Sequence, residues 1–172
     1  GCALLMQNKV SEAAEAFKRA EKAGSTQAAV QNNLGVIESK NGNRALAEEL
    51  YKKAGGNAET KYNQGILDVR NGKYADAVNN FGSYNGHNKA LAQLLSGNAA
   101  AVKETLGASS ENETAYSYYL KAVTAARQSM SADAISFLKT AIEKDNAYKA
   151  YAKDDAEFIK LRADAGFTAL VN

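Results

Sequence analysis

Small and large apolar residues recur along the chain in a fixed frame. Gly1, Ala13, Phe17 and Ala20 return as Gly35, Ala47, Tyr51 and Ala54, each displaced by 34 residues. Gly65, Ala77 and Phe81 follow after 30, Ala90, Val102 and Leu106 after 25, and Ala122, Ala134, Leu138 and Ala141 after 32. The spacing within each unit is constant, so the shorter periods lose their residues between units. Positions i, i+3, i+4 and i+7 share one face of a helix; Ala13, Phe17 and Ala20 mark such a stripe, as do Ala134, Leu138 and Ala141. The frame predicts two amphipathic helices per unit. A tight turn joins them at Asn41-Gly42, Asn71-Gly72 and Gly97-Asn98, where a positive φ or a helix end is needed. Asn43, Asn98 and Ser131 are the expected N-caps of the second helices. No stretch alternates as a strand would.

This succession of small, small and aromatic positions resembles the tetratricopeptide repeat. Leu34-Gly35 matches the Leu-Gly pair of that repeat's first helix, Ala47 and Ala54 its small positions, and Tyr51 its aromatic. The resemblance implies an all-α, right-handed superhelical solenoid of helix-turn-helix units acting as a protein- or peptide-binding scaffold. Its units would be a partial first repeat over 1–24, repeats over 28–57 and 58–85, a short repeat over 86–110 and a last repeat over 113–145. The proline that usually ends a unit is absent, with Ser25 and Asn146 in its place. Residues 146–172 resemble the terminal segment that follows such repeats, with Asp154, Asp155, Phe158, Leu161, Arg162, Asp164 and Phe167 in its pattern. A solenoid must cover its last apolar face, so Phe158, Leu161, Phe167 and Leu170 are expected to point inward.

Composition narrows the possible partners. With 172 residues the chain can bury a core without disulfides or metal, and its single cysteine cannot pair internally. Twenty-one Lys and Arg against 19 Asp and Glu, without like-charged runs, give no footprint for nucleic acid. No apolar run reaches the ~18 residues of a membrane span, and direct membrane insertion is not expected. The first residues turn polar too soon for a signal peptide, so any targeting segment is expected to lie upstream or to have been removed. Cytoplasm and periplasm fit equally well.

Catalytic chemistry has little to work with. His87 and Cys2 are the sole imidazole and thiol, and the repeat places them in different units. Cys2 aligns with Val36, Ile66, Leu91 and Val123, which reads as a small buried apolar residue in preference to a reactive thiol or a lipid-bearing N-terminus. His87 has no second ligand at i+3 or i+4 and reads as a polar surface residue. Glu48-Glu49, Asp154-Asp155 and Glu111/Glu113 read as solvated helix faces, because helix neighbours diverge by about 100°. Tyr118 takes the packing position of its helix, and Tyr116 and Tyr119 serve either packing or recognition. No cofactor or metal is expected, and the chain is read as non-enzymatic.

The resemblance also implies a concave groove lined by first helices, into which residues two before the small Gly or Ala would point. Those are Asn33, Asn63 and Asn88. An asparagine carries one acceptor and two donors and can grip an extended peptide backbone; the alternative is simple polarity on a solvated face. Each pair contributes about 0.5–1.5 kcal/mol net, short of the ~8 kcal/mol of micromolar affinity. Lys40, Arg70, Tyr62, Tyr116, Tyr119 and Arg127 are the expected anchors on that surface. The carboxylate clamp of some family members needs Lys and Asn where this chain has Asn32 and Val36, so chaperone binding is not carried over. A second reading makes the array a structural or self-association module of a larger assembly or envelope protein, joined through the edge at residues 1–20.

Overall fold

The computed structural model describes residues 1–25 and 27–172. It is all-helical among those residues, and its contacts divide it into two units, Gly1–Gly82 and Ser83–Asn172. The first holds α1 (Cys2–Met6), α2 (Val10–Lys22), α3 (Ala28–Lys40), α4 (Arg44–Ala54), α5 (Ala58–Arg70) and α6 (Tyr74–Phe81). The second holds α7 (His87–Leu95), α8 (Ala99–Gly107), α9 (Ala115–Arg127), α10 (Ser131–Lys144) and α11 (Ala147–Asp154). A 3-10 helix (Ala156–Leu161) and α12 (Ala165–Val171) complete it. α3 packs on α4, α5 on α6, α7 on α8 and α9 on α10, each helix folding back on its predecessor.

One turn closes all of these pairs. Gly42 takes φ 88°, and the Asn43 N–H donates to the Glu38 carbonyl at 2.9 Å. The bond recurs from Lys73 to Asp68 and from Asn98 to Gln93, both at 2.8 Å, with Gly72 and Gly97 at positive φ. This is the six-to-one closure of a helix C-terminus, whose left-handed residue favours glycine. Asn8 and Ser129 take the same conformation without being glycine, at φ 58° and 60°.

The caps differ from expectation. Asn43 and Asn98 do precede α4 and α8, but neither side chain accepts a cap bond, and Met130 rather than Ser131 precedes α10. The turn leaves these three residues with ψ of 60–72°, off the extended backbone that aims a side chain at the first N–H groups. Side-chain caps occur where the entry is extended, at Asn57, Thr114, Asp155 and Asp164.

The recurring small residue has a measurable role. A Cβ placed on Gly35 would lie 2.6 Å from Tyr51 Cε1, and one on Gly65 would lie 2.8 Å from Phe81 Cε1. Gly1 stands against Phe17 in the same way. In the second unit alanine replaces the glycine and leucine the ring, as Ala90 with Leu106 and Ala122 with Leu138, all four fully buried. The size of one partner is therefore matched to the other.

The segment after α10 closes the second core. Phe158, Leu161 and Phe167 are buried and Leu170 packs partly against them. Phe158 meets the Tyr119 ring edge-on at 5.7 Å and lies at the same distance from Phe167.

Candidate functional site

In the first unit the expected groove residues lie on α3 and α5. Asn33 is half-buried and spends one N–H on the Ala29 carbonyl of its own helix at 2.7 Å. Asn63 donates to Asn32 Oδ1 at 3.0 Å, and Asn32 donates to Glu59 Oε1 at 2.9 Å. The polar relay between α3 and α5 thus runs through Asn32, one residue from the position singled out, and Asn32 is buried. Lys40 is exposed, whereas the Arg70 guanidinium donates to Ser39 Oγ at 3.1 Å. The Tyr62 ring lies 5.4 Å from Phe81.

The second unit holds Asn88, half-buried in α7, and the tyrosines. Tyr119 takes the packing alternative, whereas Tyr118, expected to pack, is only partly buried. Tyr119 is the buried ring, its hydroxyl donating to Asp155 Oδ2 at 2.6 Å. Tyr118 sits near the surface, donates to Glu113 at 2.8 Å and carries the Lys121 ammonium 4.4 Å above its ring. The cap segment, folding back over α9, decides which ring is covered. Tyr116, Tyr119, Tyr148, Tyr151 and Asp155 line an open cleft of about 550 Å³. Tyr151 is 64% exposed. Tyr148 and Tyr151 escaped the sequence argument because they lie in the segment read only as a cap; their three-residue spacing was the available signal.

Arg127 works inside its unit. Its guanidinium pairs with the Glu157 carboxylate through two nitrogens and donates from the third to the Leu94 carbonyl at 2.7 Å. It clamps α7 and the 3-10 helix to the end of α9.

Two other expectations need correction. Cys2 is exposed, since the short α1 buries none of its residues; its Sγ accepts from the Asn33 amide at 3.9 Å, and Met6 of the same helix is 90% exposed. His87 is largely enclosed: Nε2 lies 2.8 Å from Ser117 Oγ and Nδ1 3.4 Å from Glu111, with Tyr116 edge-on at 4.8 Å. The 108–114 loop folds back onto the start of α7, bringing in Glu111 that the local sequence placed on a solvated face. Ser117 is wholly buried and its hydroxyl donates to the Glu111 carbonyl at 2.6 Å, so this serine and histidine brace the loop.

Burial lifts the Tyr51 phenol to about 12, opposed in part by Arg70. The Tyr119 phenol is also pushed up, by burial first and then by its bond to Asp155. A raised phenol favours the neutral form in the folded state. That stability is complete below the ordinary value near 10 and is lost as pH rises toward about 12. The urea midpoint should therefore fall steeply above about pH 10, and Tyr51→Phe should flatten the fall; an identical pH slope in the variant would remove Tyr51 from this account.

Among the described residues no helix is long and apolar enough to cross a membrane, and no cluster of His, Cys, Asp and Glu is arranged to hold a metal. The helix pairs, the six-to-one turns and the small-residue contacts define an all-α helical-repeat protein. Residues 1–59 match the tetratricopeptide repeat family, and the all-helical architecture of the described residues supports a repeat protein of that type. Repeats of this family commonly mediate protein–protein interaction. No curated protein matches the chain.

Proposed function

We propose that the chain is a non-catalytic scaffold that binds a protein segment in extended form. The observation that carries this reading is the tyrosine cleft of the second unit, where Tyr116 and Tyr119 are joined by Tyr148 and Tyr151. Tyrosines give large contact area for little lost freedom and dominate binding hot spots. Tyr151 is exposed although its ring lies only 5.9 Å from Tyr148, and an exposed aromatic edge is available to a partner. Each unit carries its own candidate contacts, Asn33, Asn63, Lys40, Arg70 and Tyr62 in the first and Asn88 with the tyrosine cleft in the second. Arg127 supports the surface indirectly by holding Glu157.

Panning a random peptide library on the chain tests this. Selected peptides should bind with micromolar dissociation constants, Tyr151→Ala should weaken them at least tenfold, and the Asn33/Asn63/Asn88 triple alanine variant should weaken them several-fold with helical content retained. A library that yields no binder, or binders indifferent to both variants, would sink the proposal.

A further inference from the structure

A second cleft, of about 600 Å³, lies wholly within the first unit between α4, α5 and α6. It shares no residue with the surface proposed for peptide binding. Its lining includes Tyr51, Thr60, Gln64, Asp68 and Asn80, with Glu48, Lys52, Lys61 and Lys73 around them.

The floor holds a buried carboxyl group with no described cation beside it. Asp68 is 3% exposed and is held by two neutral amides, Gln64 to Oδ1 at 2.9 Å and Asn80 to Oδ2 at 2.7 Å. No Lys, Arg or His among the described residues pairs with it. Buried carboxylates are normally matched by a cation, and each oxygen here retains a free lone pair. Thr60 lines the same cleft, is 2% exposed, and its Oγ1 has no partner. The Tyr51 hydroxyl likewise bonds no described residue. Three acceptors of hydrogen bonds are thus left with capacity in one cleft.

Several of these positions are apolar in other repeats. One repeat earlier, Thr60, Gln64 and Asn80 correspond to Val30, Leu34 and Leu50, all in the apolar core of that repeat. In the second unit Tyr51, Asp68 and Asn80 correspond to Leu106, Ala125 and Phe137, and Ser117, at the place of Thr60, is fully bonded. Asp68 has buried polar counterparts in Glu38, bonded by Asn43, and Gln93, and Asn80 has one in Thr105; what is particular to this cleft is a buried carboxylate lined up with the Tyr51 hydroxyl, whose counterparts are Phe17 and Phe81.

An ammonium group has three donors and no acceptor, which suits a carboxylate and two hydroxyls. Above the floor, Lys52 and Lys73 share Glu48 at 3.1 and 3.8 Å, and Lys61 is exposed. With Glu48 and Asp76 the only acidic residues described there against Lys52, Lys61 and Lys73, the rim is slightly cationic and favours an anion. We propose that the cleft between α4, α5 and α6 binds an ammonium group carried near a carboxylate, as in a free amino acid or a lysine side chain beside an acidic residue.

The test follows backbone amide shifts of Thr60, Gln64 and Asn80 in the ¹⁵N-labelled chain. 6-Aminohexanoate should shift them saturably, butylamine should do so at least threefold more weakly, and butyrate should not. Asp68→Asn should weaken 6-aminohexanoate at least tenfold. Should that variant fail to fold, Tyr51→Phe and Thr60→Val carry the comparison, each weakening binding about threefold. A blocked Asp-Lys-Asp peptide binding more tightly than 6-aminohexanoate would place the ammonium on a partner protein, and the reverse order on a free small molecule; both support the site. Absence of saturable shifts with both ammonium compounds, or undiminished binding by the variants, would overturn it. Peptide selection at the tyrosine cleft is unaffected by any of these changes, so the two proposals fail separately.

Discussion

Gly35→Val should destabilise the first unit by about 3 kcal/mol, whereas Gly35→Ala should cost little once Tyr51 is also made Leu. The ring of Tyr51 occupies the space a side chain at 35 would need, with Cε1 and Cδ1 only 2.6 and 2.8 Å from the added carbon. Overpacking a buried contact costs about 1–3 kcal/mol. Replacing a helix-interior glycine with alanine returns about 1 kcal/mol through backbone entropy, so Gly35→Ala alone should be mildly destabilising. Valine adds two methyl groups to the clash and recovers less. In the Tyr51→Leu background the pair becomes Ala with Leu, the combination seen at Ala90 with Leu106 and Ala122 with Leu138. A double-mutant cycle by urea denaturation should then show coupling of about 1–2 kcal/mol. Additive costs would mean that the glycine is retained for some reason other than the ring.

Phe158→Ala should cost the second unit about 3–5 kcal/mol, the range for removing a fully buried phenylalanine. The ring is 0% exposed and lies between Tyr119 and Phe167, so truncation empties the centre of the cap. The Tyr119–Asp155 bond and the Arg127–Glu157 pair flank the same segment and should loosen with it. Hydrogen exchange should accelerate first in α12 and the 3-10 helix and then in α9. Ile159→Ala, at a neighbouring 61% exposed position, is the control and should change stability by less than about 0.5 kcal/mol. Equal effects of the two would show that the segment is not a cap.

How much of this was legible beforehand depends on the range of the interaction concerned. The turns at Gly42, Gly72 and Gly97 could be read because glycine at a helix end answers a backbone demand that is local. The glycine-to-ring frame could be read because it repeats, and repetition supplies in one sequence what an isolated position lacks. His87 was misjudged because its partners, Glu111, Thr114 and Ser117, lie 24 to 30 residues away on a loop with no periodic signature. The choice between packing and recognition for the tyrosines of α9 stays open in the sequence for the same reason: the frame orders residues along a helix but does not say where the following segment will land. Asn32 was passed over because neighbouring asparagines differ only by the rotation between them, and its partner Glu59 is 27 residues distant. Asp68 drew no notice, since an acidic residue in an amphipathic helix usually faces water.

The six-to-one turns also bear on how the molecule ages. Asparagine followed by glycine is the sequence most prone to deamidate, because the unhindered glycine nitrogen attacks the asparagine side chain to form a succinimide and release ammonia. Asn41-Gly42 and Asn71-Gly72 are such sites. In the folded chain the Gly42 and Gly72 N–H groups are bonded to the Ser39 and Val69 carbonyls at 3.3 and 3.1 Å. A nitrogen whose N–H is held in such a bond is less free to turn toward the carbon it would attack. The reaction must wait for the helix end to open, so succinimide formation at these two bonds becomes a slow chemical clock of local unfolding, one that runs fastest in whichever hairpin is least stable.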